Sequence, residues 1–337
     1  MEWPGETVHN SPMTVPDSTS PPLEIGFLLL PDFSNLCLAN AVEPLRAVND
    51  ITGHEACRRH LLSLDGEPVA TSSELFIRAD RPLREVGRLD AFFVIAGSGY
   101  RRFATAPIKA GLRRASRNAR IIGALDTGPW LLAATGLLDG YRATIHWQAQ
   151  DRMRLDFPAV EVNSARYVID RDRITAGGAT AVLDLMLALI RERFDEATAL
   201  EVMRLFLYDH ERAAESDQLG TLHAPFTARA PIVASAIEMM EHAIERPRSM
   251  ADVARLNNCS QRKLERAFAD AVGVTPQRYY QYLRLSAARR LLQEGEESVA
   301  GAAAATGFSS ASAFARAYRR LFGHPPGSVR PRPSRVP

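Results

Sequence analysis

Two groups of residues in this 337-residue chain have the types and spacing to do chemistry. The first is built around an acid at a sharp turn. The stretch Ile121 to Gly136 (IIGALDTGPWLLAATG) reads as a strand, a turn and a helix, the arrangement that presents a nucleophile in elbow-type hydrolases. Its apex holds Asp126. His146 follows at the end of a short strand in LLDGYRATIHW, and Glu43, Gly97, Trp130 and Trp147 complete the candidates for the same site. An aspartate cannot supply the thiolate that a cysteine would, and neither Cys37 nor Cys57 lies on the turn, so no catalytic residue is assigned and the site reads as a binding site. An elbow carboxylate near aromatic rings suits a cation, a quaternary ammonium group in particular. A plainer role for Asp126 stays open, as N-cap of a helix starting at Pro129. His146 reads as a hydrogen-bonding histidine rather than a metal ligand, since no second ligand stands at metal spacing. Both tryptophans have a second reading as core or dimer-contact residues. No metal or cofactor is expected.

The second group is cationic and lies near the carboxyl end. Met250 to Asn257 reads as a short helix with Val253 and Leu256 inward, Asn258 and Cys259 as a turn, and Ser260 as the cap of a helix running to about Asp270, with Leu264, Ala267 and Phe268 inward. Two short helices joined this tightly form a helix-turn-helix. The outward face carries Gln261, Arg262, Glu265 and Arg266, side chains able to reach base edges or phosphates of double-stranded DNA. The pattern repeats: Ser298 to Thr306, a turn at Gly307 and Phe308, then Ser310 opening a helix through Leu321 that shows Ser312, Arg316, Arg319 and Arg320. A longer helix, Pro276 to Leu292, can bind both units into one body through Tyr279, Leu283, Ala287 and Leu291, and two reading heads on one strut would meet major grooves ~34 Å apart. In the second unit, Ala300 to Ala305 (AGAAAA) is unusually small, with Gly301 expected in a helix interior at a cost of about 1 kcal/mol relative to Ala. From Pro231 onward the chain holds sixteen Lys/Arg against nine Asp/Glu, while the remainder is mildly acidic, which fits a polyanion partner for the carboxyl-terminal part.

The elements that must position these groups alternate. Leu23 to Leu30 is a buried-strand run, followed by a helix over Asn35 to Val48 with Leu36, Ala39, Val42, Leu45 and Ala47 on its apolar side. Asp90 to Ile95 and Arg120 to Leu125 are further strands, with helices at Ala106 to Ser116, Pro129 to Thr135, Thr180 to Arg193 and Asp195 to about Glu211. Continuous apolar strands interleaved with helices predict an α/β doubly wound, mostly parallel sheet, and the strand-free, short-helix carboxyl part predicts an all-α domain with two helix-turn-helix units. The expected organisation is a disordered tail over 1–22, a ligand-sensing α/β domain over 23–211, a linker over 212–231, a DNA-binding domain over 232–330 and a tail over 331–337. The first residues lack the basic start and apolar core of a secretory signal, no apolar run approaches the ~20 residues of a membrane span, and three scattered cysteines make a structural disulfide improbable. These features place the protein in the cytoplasm, away from membranes.

The carboxyl-terminal 100 residues or so resemble the AraC/XylS-type DNA-binding domain, on Ala254, Ser260, Leu264, Arg266, Phe268, Gly273, Pro276, Tyr280, Arg284, Ala287, Leu291 and Leu292, and on through Ser298, Val299, Gly307-Phe308, Phe314, Arg316, Phe322-Gly323, Pro326 and Arg330. Residues 23 to about 195 resemble the class I glutamine amidotransferase-like, PfpI-type domain fused to such domains in GlxA-like regulators. That resemblance rests on Phe33, Glu43-Pro44-Leu45, Gly97, Gly123 to Gly128, Gly136 to Gly140, Thr144 to Trp147, Gly178, Thr180 and Asp184. Leu-Asp-Thr-Gly together with Ala-Thr-Ile-His-Trp looks closest to regulators of carnitine and glycine betaine catabolism. The resemblance implies a sequence-specific transcriptional regulator, an activator that dimerises and responds to a small metabolite such as a quaternary ammonium compound or an amino-acid derivative. The rival reading is an amidase or glyoxalase-like enzyme with an accessory DNA-binding tail.

Overall fold

The computed structural model describes residues 21–218, 230–294 and 297–329. The tails expected at 1–22 and 331–337 therefore fall almost wholly outside the described residues, as does most of the expected linker. The chain divides into two compact units, residues 1–219 and 220–337.

The first unit opens with β1 (Leu23–Leu29), α1 (Asn35–Thr52) and β2 (Cys57–Ser63), then short β3 (Val69–Ala70), β4 (Phe76–Ile77) and β5 (Arg81–Pro82). β6 (Leu89–Ala96), α2 (Ala106–Arg117), β7 (Ala119–Asp126) and α3 (Gly128–Ala134) follow. β8 (Arg142–Ala143), α4 (Gln150–Asp156), β9 (Glu161–Val162), β10 (Tyr167–Asp170), β11 (Arg173–Ala176), α5 (Ala179–Arg193) and α6 (Glu196–Leu205) complete it. Seven strands form one sheet in the order β10-β11-β7-β6-β1-β2-β5, parallel throughout except for β10 against β11. This is the doubly wound sheet the sequence predicts.

Each central strand is apolar on both sides because both faces of the sheet are covered. With a two-residue period, Ile25, Phe27 and Leu29 of β1 and Ala91, Phe93 and Ile95 of β6 face one core, shared with α1, α5 and α6. Leu28, Phe92 and Val94 face the other, shared with α2 and α3. Phe27 stacks on Phe93 across the strands with ring centroids 5.6 Å apart. The chain winds one way from β1 to β2 and the other way from β1 to β6, so the strand order reverses between β1 and β6, at whose carboxyl ends open sheets of this kind bind ligands.

Two helices differ from expectation. α1 continues to Thr52 and turns Leu36 outward, 56% exposed, because Cys37, Leu38, Ala41, Leu45 and Val48 already fill its buried stripe. α6 stops at Leu205 rather than near Glu211, and Leu207 takes a left-handed φ of 52°. The first residues of the expected linker are held by the α/β unit, to which Arg212 and Gln218 hydrogen-bond, and polar anchors of this kind leave no hydrophobic trace in sequence.

The second unit has no strand among its described residues. It comprises α7 (Pro231–Glu241), α8 (Met250–Leu256), α9 (Gln261–Val272), α10 (Pro276–Glu294), α11 (Val299–Ala305) and α12 (Ala311–Phe322). It holds two small cores. Val233, Ile237, Met240, Val253, Leu264, Phe268 and Tyr280 form the first, and Leu285, Ala288, Leu292, Ala302, Phe314 and Tyr318 the second. The strut α10 thus enters the first core with its early turns and the second with its later ones. Leu256, expected inside, is 40% exposed, and Ala254 takes the buried place. Gly301 lies in the first turn of α11, where its N–H donates to the capping Ser298 Oγ at 3.0 Å, so it is not the interior glycine expected.

Candidate functional sites: an elbow carboxylate and a nucleic-acid interface

β7 ends at Asp126 with φ 63°, a left-handed turn between strand and α3. The elbow is tied on both sides. Thr127 Oγ1 donates to the Gly97 carbonyl at 2.8 Å, and the Asp126 carbonyl accepts the His146 N–H at 2.9 Å. Asp126 is not the helix cap considered above. The N-cap position of α3 is Thr127, without a side-chain capping bond, and the Asp126 carboxyl makes no hydrogen bond or ion pair to any described residue. Asp126 keeps some exposed surface, yet protein encloses it enough that burial pushes its carboxyl from 3.8 up to about 7. A buried carboxyl with no partner costs free energy whenever it ionises, and a positively charged ligand removes that cost.

His146 lies against this elbow. Its Nδ1 accepts from Gln148 N–H at 3.4 Å, and its ring centroid is 5.9 Å from that of partly exposed Trp147. A Cβ on Gly178, just before α5, would come within 3.7 Å of the His146 ring. Gly97 serves the backbone instead of a ligand, because a Cβ there would sit 2.1 Å from the Asp32 carbonyl oxygen.

Two candidates fall away. Glu43 stands on the solvent side of α1, its carboxylate 2.7 Å from Arg46 Nε, because the helix gives its buried stripe to Cys37, Ala41 and Pro44. Trp130 is packed in the second core, 8% exposed, with Tyr100 and Phe157 edge-on and its Nε1 donating to Asp156 Oδ2 at 3.2 Å. Arg101 already covers its ring. It has no face left for a ligand cation.

The sequence reading missed neighbours that the fold supplies. Asp32, at φ 66° just beyond β1, holds Arg102 at 2.6 Å, and Arg102 Nε is buried without a hydrogen-bond partner. Asn40 donates to the Ala179 carbonyl at the start of α5 at 2.7 Å. The Pro-Asp pair directly after the first strand was the only available signal for Asp32, and Asn40 carried none. Cys37, wholly buried, has its thiol raised well above its usual range by burial and by Asp126, so it stays protonated. Among the described residues no cluster of His, Cys, Asp or Glu could hold a metal ion.

In the second unit the two expected faces form. Ser260 Oγ caps α9 by accepting Lys263 N–H at 3.2 Å, and Ser310 Oγ caps α12 by accepting Ala313 N–H at 3.2 Å. Both serines therefore have a structural role at the helix starts. Gln261, Arg262, Glu265 and Arg266 are exposed along α9, with Gln261 Nε2 donating to Glu265 Oε1 at 3.0 Å and Arg266 3.9 Å from Asp270. Ser312, Arg316, Arg319 and Arg320 are exposed along α12, and its three arginines have no ion-pair partner among the described residues. Leu264 and Phe268 on one helix, and Phe314 and Tyr318 on the other, anchor the opposite faces in the cores. The cationic sides are left to solvent.

Comparison with known proteins agrees with both halves. The DJ-1/PfpI family matches residues 25–192, and a helix-turn-helix domain matches residues 253–332. The HTH-type transcriptional regulator GbdR of Pseudomonas aeruginosa is 37% identical over 316 residues, covering 94% of this chain and 86% of that protein. The HTH-type transcriptional regulator GlxA of Rhizobium meliloti is 38% identical over 309 residues, covering 91% and 95%. A solved structure of an AraC family transcriptional regulator from Pseudomonas putida superposes with a TM-score of 0.50 at 26% identity, over 55% of this chain and 100% of its own. More distantly, the isonitrile hydratase of Pseudomonas putida is 31% identical over 183 residues, 52% of this chain and 75% of that enzyme. No helix among the described residues is long and apolar enough to cross a membrane.

Proposed function

The chain belongs to the HTH-type transcriptional regulators that carry a DJ-1/PfpI domain and an AraC-type helix-turn-helix domain, and on that premise we propose that its elbow is a non-catalytic sensor for a small cation. The observation that carries the proposal is the Asp126 carboxyl, enclosed, set in a left-handed turn and without a partner among the described residues. His146 and Trp147 supply polar and aromatic surface beside it, the combination that attracts a quaternary ammonium group. Glycine betaine and carnitine fit that chemistry, as does an amino-acid derivative. Asp126 stands where thiol enzymes of this fold need a cysteine, and Cys37 is a protonated, buried thiol, which supports sensing over the turnover that the isonitrile hydratase likeness suggests. The sensing domain works as a homodimer, and ligand binding shifts promoter occupancy through its differential affinity for two states.

In DNA recognition, Gln261, Arg262, Glu265 and Arg266 on α9 and Ser312 and Arg316 on α12 read base edges, being on the early and middle turns that enter a major groove. Arg319 and Arg320 on the last turn hold phosphates, and Ser260 and Ser310 present the helix starts. The test is thermal unfolding of the parent and of Asp126→Asn with glycine betaine, carnitine and arginine at pH 8. Stabilisation of the parent alone is expected; no shift with any cation removes the sensor reading, and turnover of an amide or isonitrile that is lost in Asp126→Ala replaces it with an enzyme.

A further inference from the structure

The segment that leaves the α/β unit is strapped back across it. After α6 the chain takes a left-handed turn at Leu207 and runs along α5 and the segment 164–166 that leads into β10, as far as Gln218. Its anchors are mostly polar. Asp184, fully buried, receives the Tyr208 hydroxyl at 2.5 Å and the Arg212 N–H at 3.3 Å, and pairs with buried Arg166 at 2.7 Å. Glu211 takes both terminal nitrogens of Arg191, and Arg166 N–H donates to the Ala214 carbonyl at 2.9 Å. Ala213, Glu215 and Asp217 are exposed.

The last described anchor lies behind the elbow. Gln218 Nε2 is 2.9 Å from Thr144 Oγ1, 2.9 Å from the Ile145 carbonyl and 3.0 Å from the Ala165 carbonyl. Ile145 immediately precedes His146, whose N–H is held by the Asp126 carbonyl. Gln218 also fills the space over Gly177: a Cβ there would lie 2.0 Å from its amide nitrogen. One run of backbone, 144–146, therefore carries the elbow contact at one end and the Gln218 contact at the other.

We propose that residues 207–218 are a releasable strap and Gln218 its latch, so that occupancy of the elbow, as read above, sets whether the connection to the DNA-binding unit begins at 219 or at 207. A ligand that moves His146 moves the Ile145 carbonyl, and with it one of the three oxygens that seat the latch. Release requires breaking hydrogen bonds and ion pairs that water can replace and lifting Tyr208 and Ala214 from the rim of the core, while the rest of the strap is held by polar contacts, which places it toward the low-stability end of the domain. The two seatings are the discrete states that a ligand needs in order to shift an equilibrium.

Two variants unseat the latch from opposite sides. Gln218→Glu sets carboxylate oxygens against carbonyl oxygens. Gly177→Ala wedges a methyl group into the amide's place, at a residue whose φ is not left-handed and so accepts alanine. In the full chain, amide hydrogen exchange over 207–218 and affinity for a duplex selected by the parent from random-sequence DNA are measured together. Both variants are expected to speed exchange about tenfold and to change duplex affinity about fivefold in the same direction. Faster exchange with duplex affinity unmoved in both, or exchange unaltered, overturns the proposal. If Gly177→Ala fails to fold, Gln218→Glu decides alone. The elbow reading is scored separately, by the glycine betaine thermal shift. Altered duplex affinity without that shift upholds the strap and sinks only the cation reading, whereas the shift without altered affinity sinks the strap.

Discussion

Replacing Asp126 by Asn keeps the shape of the elbow and deletes one ionisation. In the unfolded chain Asp126 loses its proton as the pH passes 3.8, whereas in the folded protein burial holds the proton until about 7. Between those values the folded state binds more protons than the unfolded state, so rising pH works against folding. The penalty is absent below about pH 3.8, grows through the interval and is complete above about 7. A displacement from 3.8 to about 7 corresponds to about 4 kcal/mol at full strength. Because Asp126 keeps some exposed surface, water screens part of it, and about 2 kcal/mol is the working figure. Asn carries no such penalty. The variant is therefore expected to unfold at a temperature about 4–8 °C above the parent at pH 8, for a domain of this size, with the gap closing to nothing near pH 4. Differential scanning calorimetry of the full chain from pH 4 to 8, following the α/β transition, measures the gap directly. A difference that does not vary with pH would refute the argument by showing that folding leaves the carboxyl's titration unmoved, and a variant less stable at pH 8 would refute it by showing that the ionised carboxylate has a partner in the folded protein.

Arg266→Ala and Arg316→Ala are each expected to weaken binding to the selected duplex by about 1–3 kcal/mol, whereas Arg319→Ala should weaken selected and scrambled duplexes alike and flatten the salt dependence, all read by fluorescence anisotropy at several salt concentrations. Arg166→Ala, which leaves the buried Asp184 carboxylate with only the more distant Arg212 guanidinium at 3.6 Å, should destabilise the α/β unit by about 2–4 kcal/mol in chemical denaturation. Ser260→Ala and Ser310→Ala should each cost about 1 kcal/mol in the helical unit, as lost caps, and a stability equal to the parent's would mean the serines are not caps in solution.

The elements that were legible in the sequence are those whose partners lie close along the chain or whose burial is periodic. β1, β6 and β7 announced themselves as apolar runs, and the helices of both helix-turn-helix units by serine caps and three-to-four-residue spacing, since capping and amphipathicity are local properties. β2 (CRRHLLS) escaped because half of it is charged and solvent-facing, and β10 and β11 because four residues give too short a pattern.

The sequence by itself determined that an acid occupies the elbow and that arginines crowd the outer sides of two capped helices. Only the tertiary structure decided what surrounds that elbow. It turned Glu43 to solvent and enclosed Trp130, and it brought Asn40 to the start of α5, Asp32 to Arg102 and Gln218 to the Ile145 carbonyl from distant parts of the chain. The physical reason is that a side chain's periodic position states which face of its own element it occupies, whereas its neighbours depend on how strands separated by sixty or more residues are ordered in the sheet, and no local interaction encodes that order.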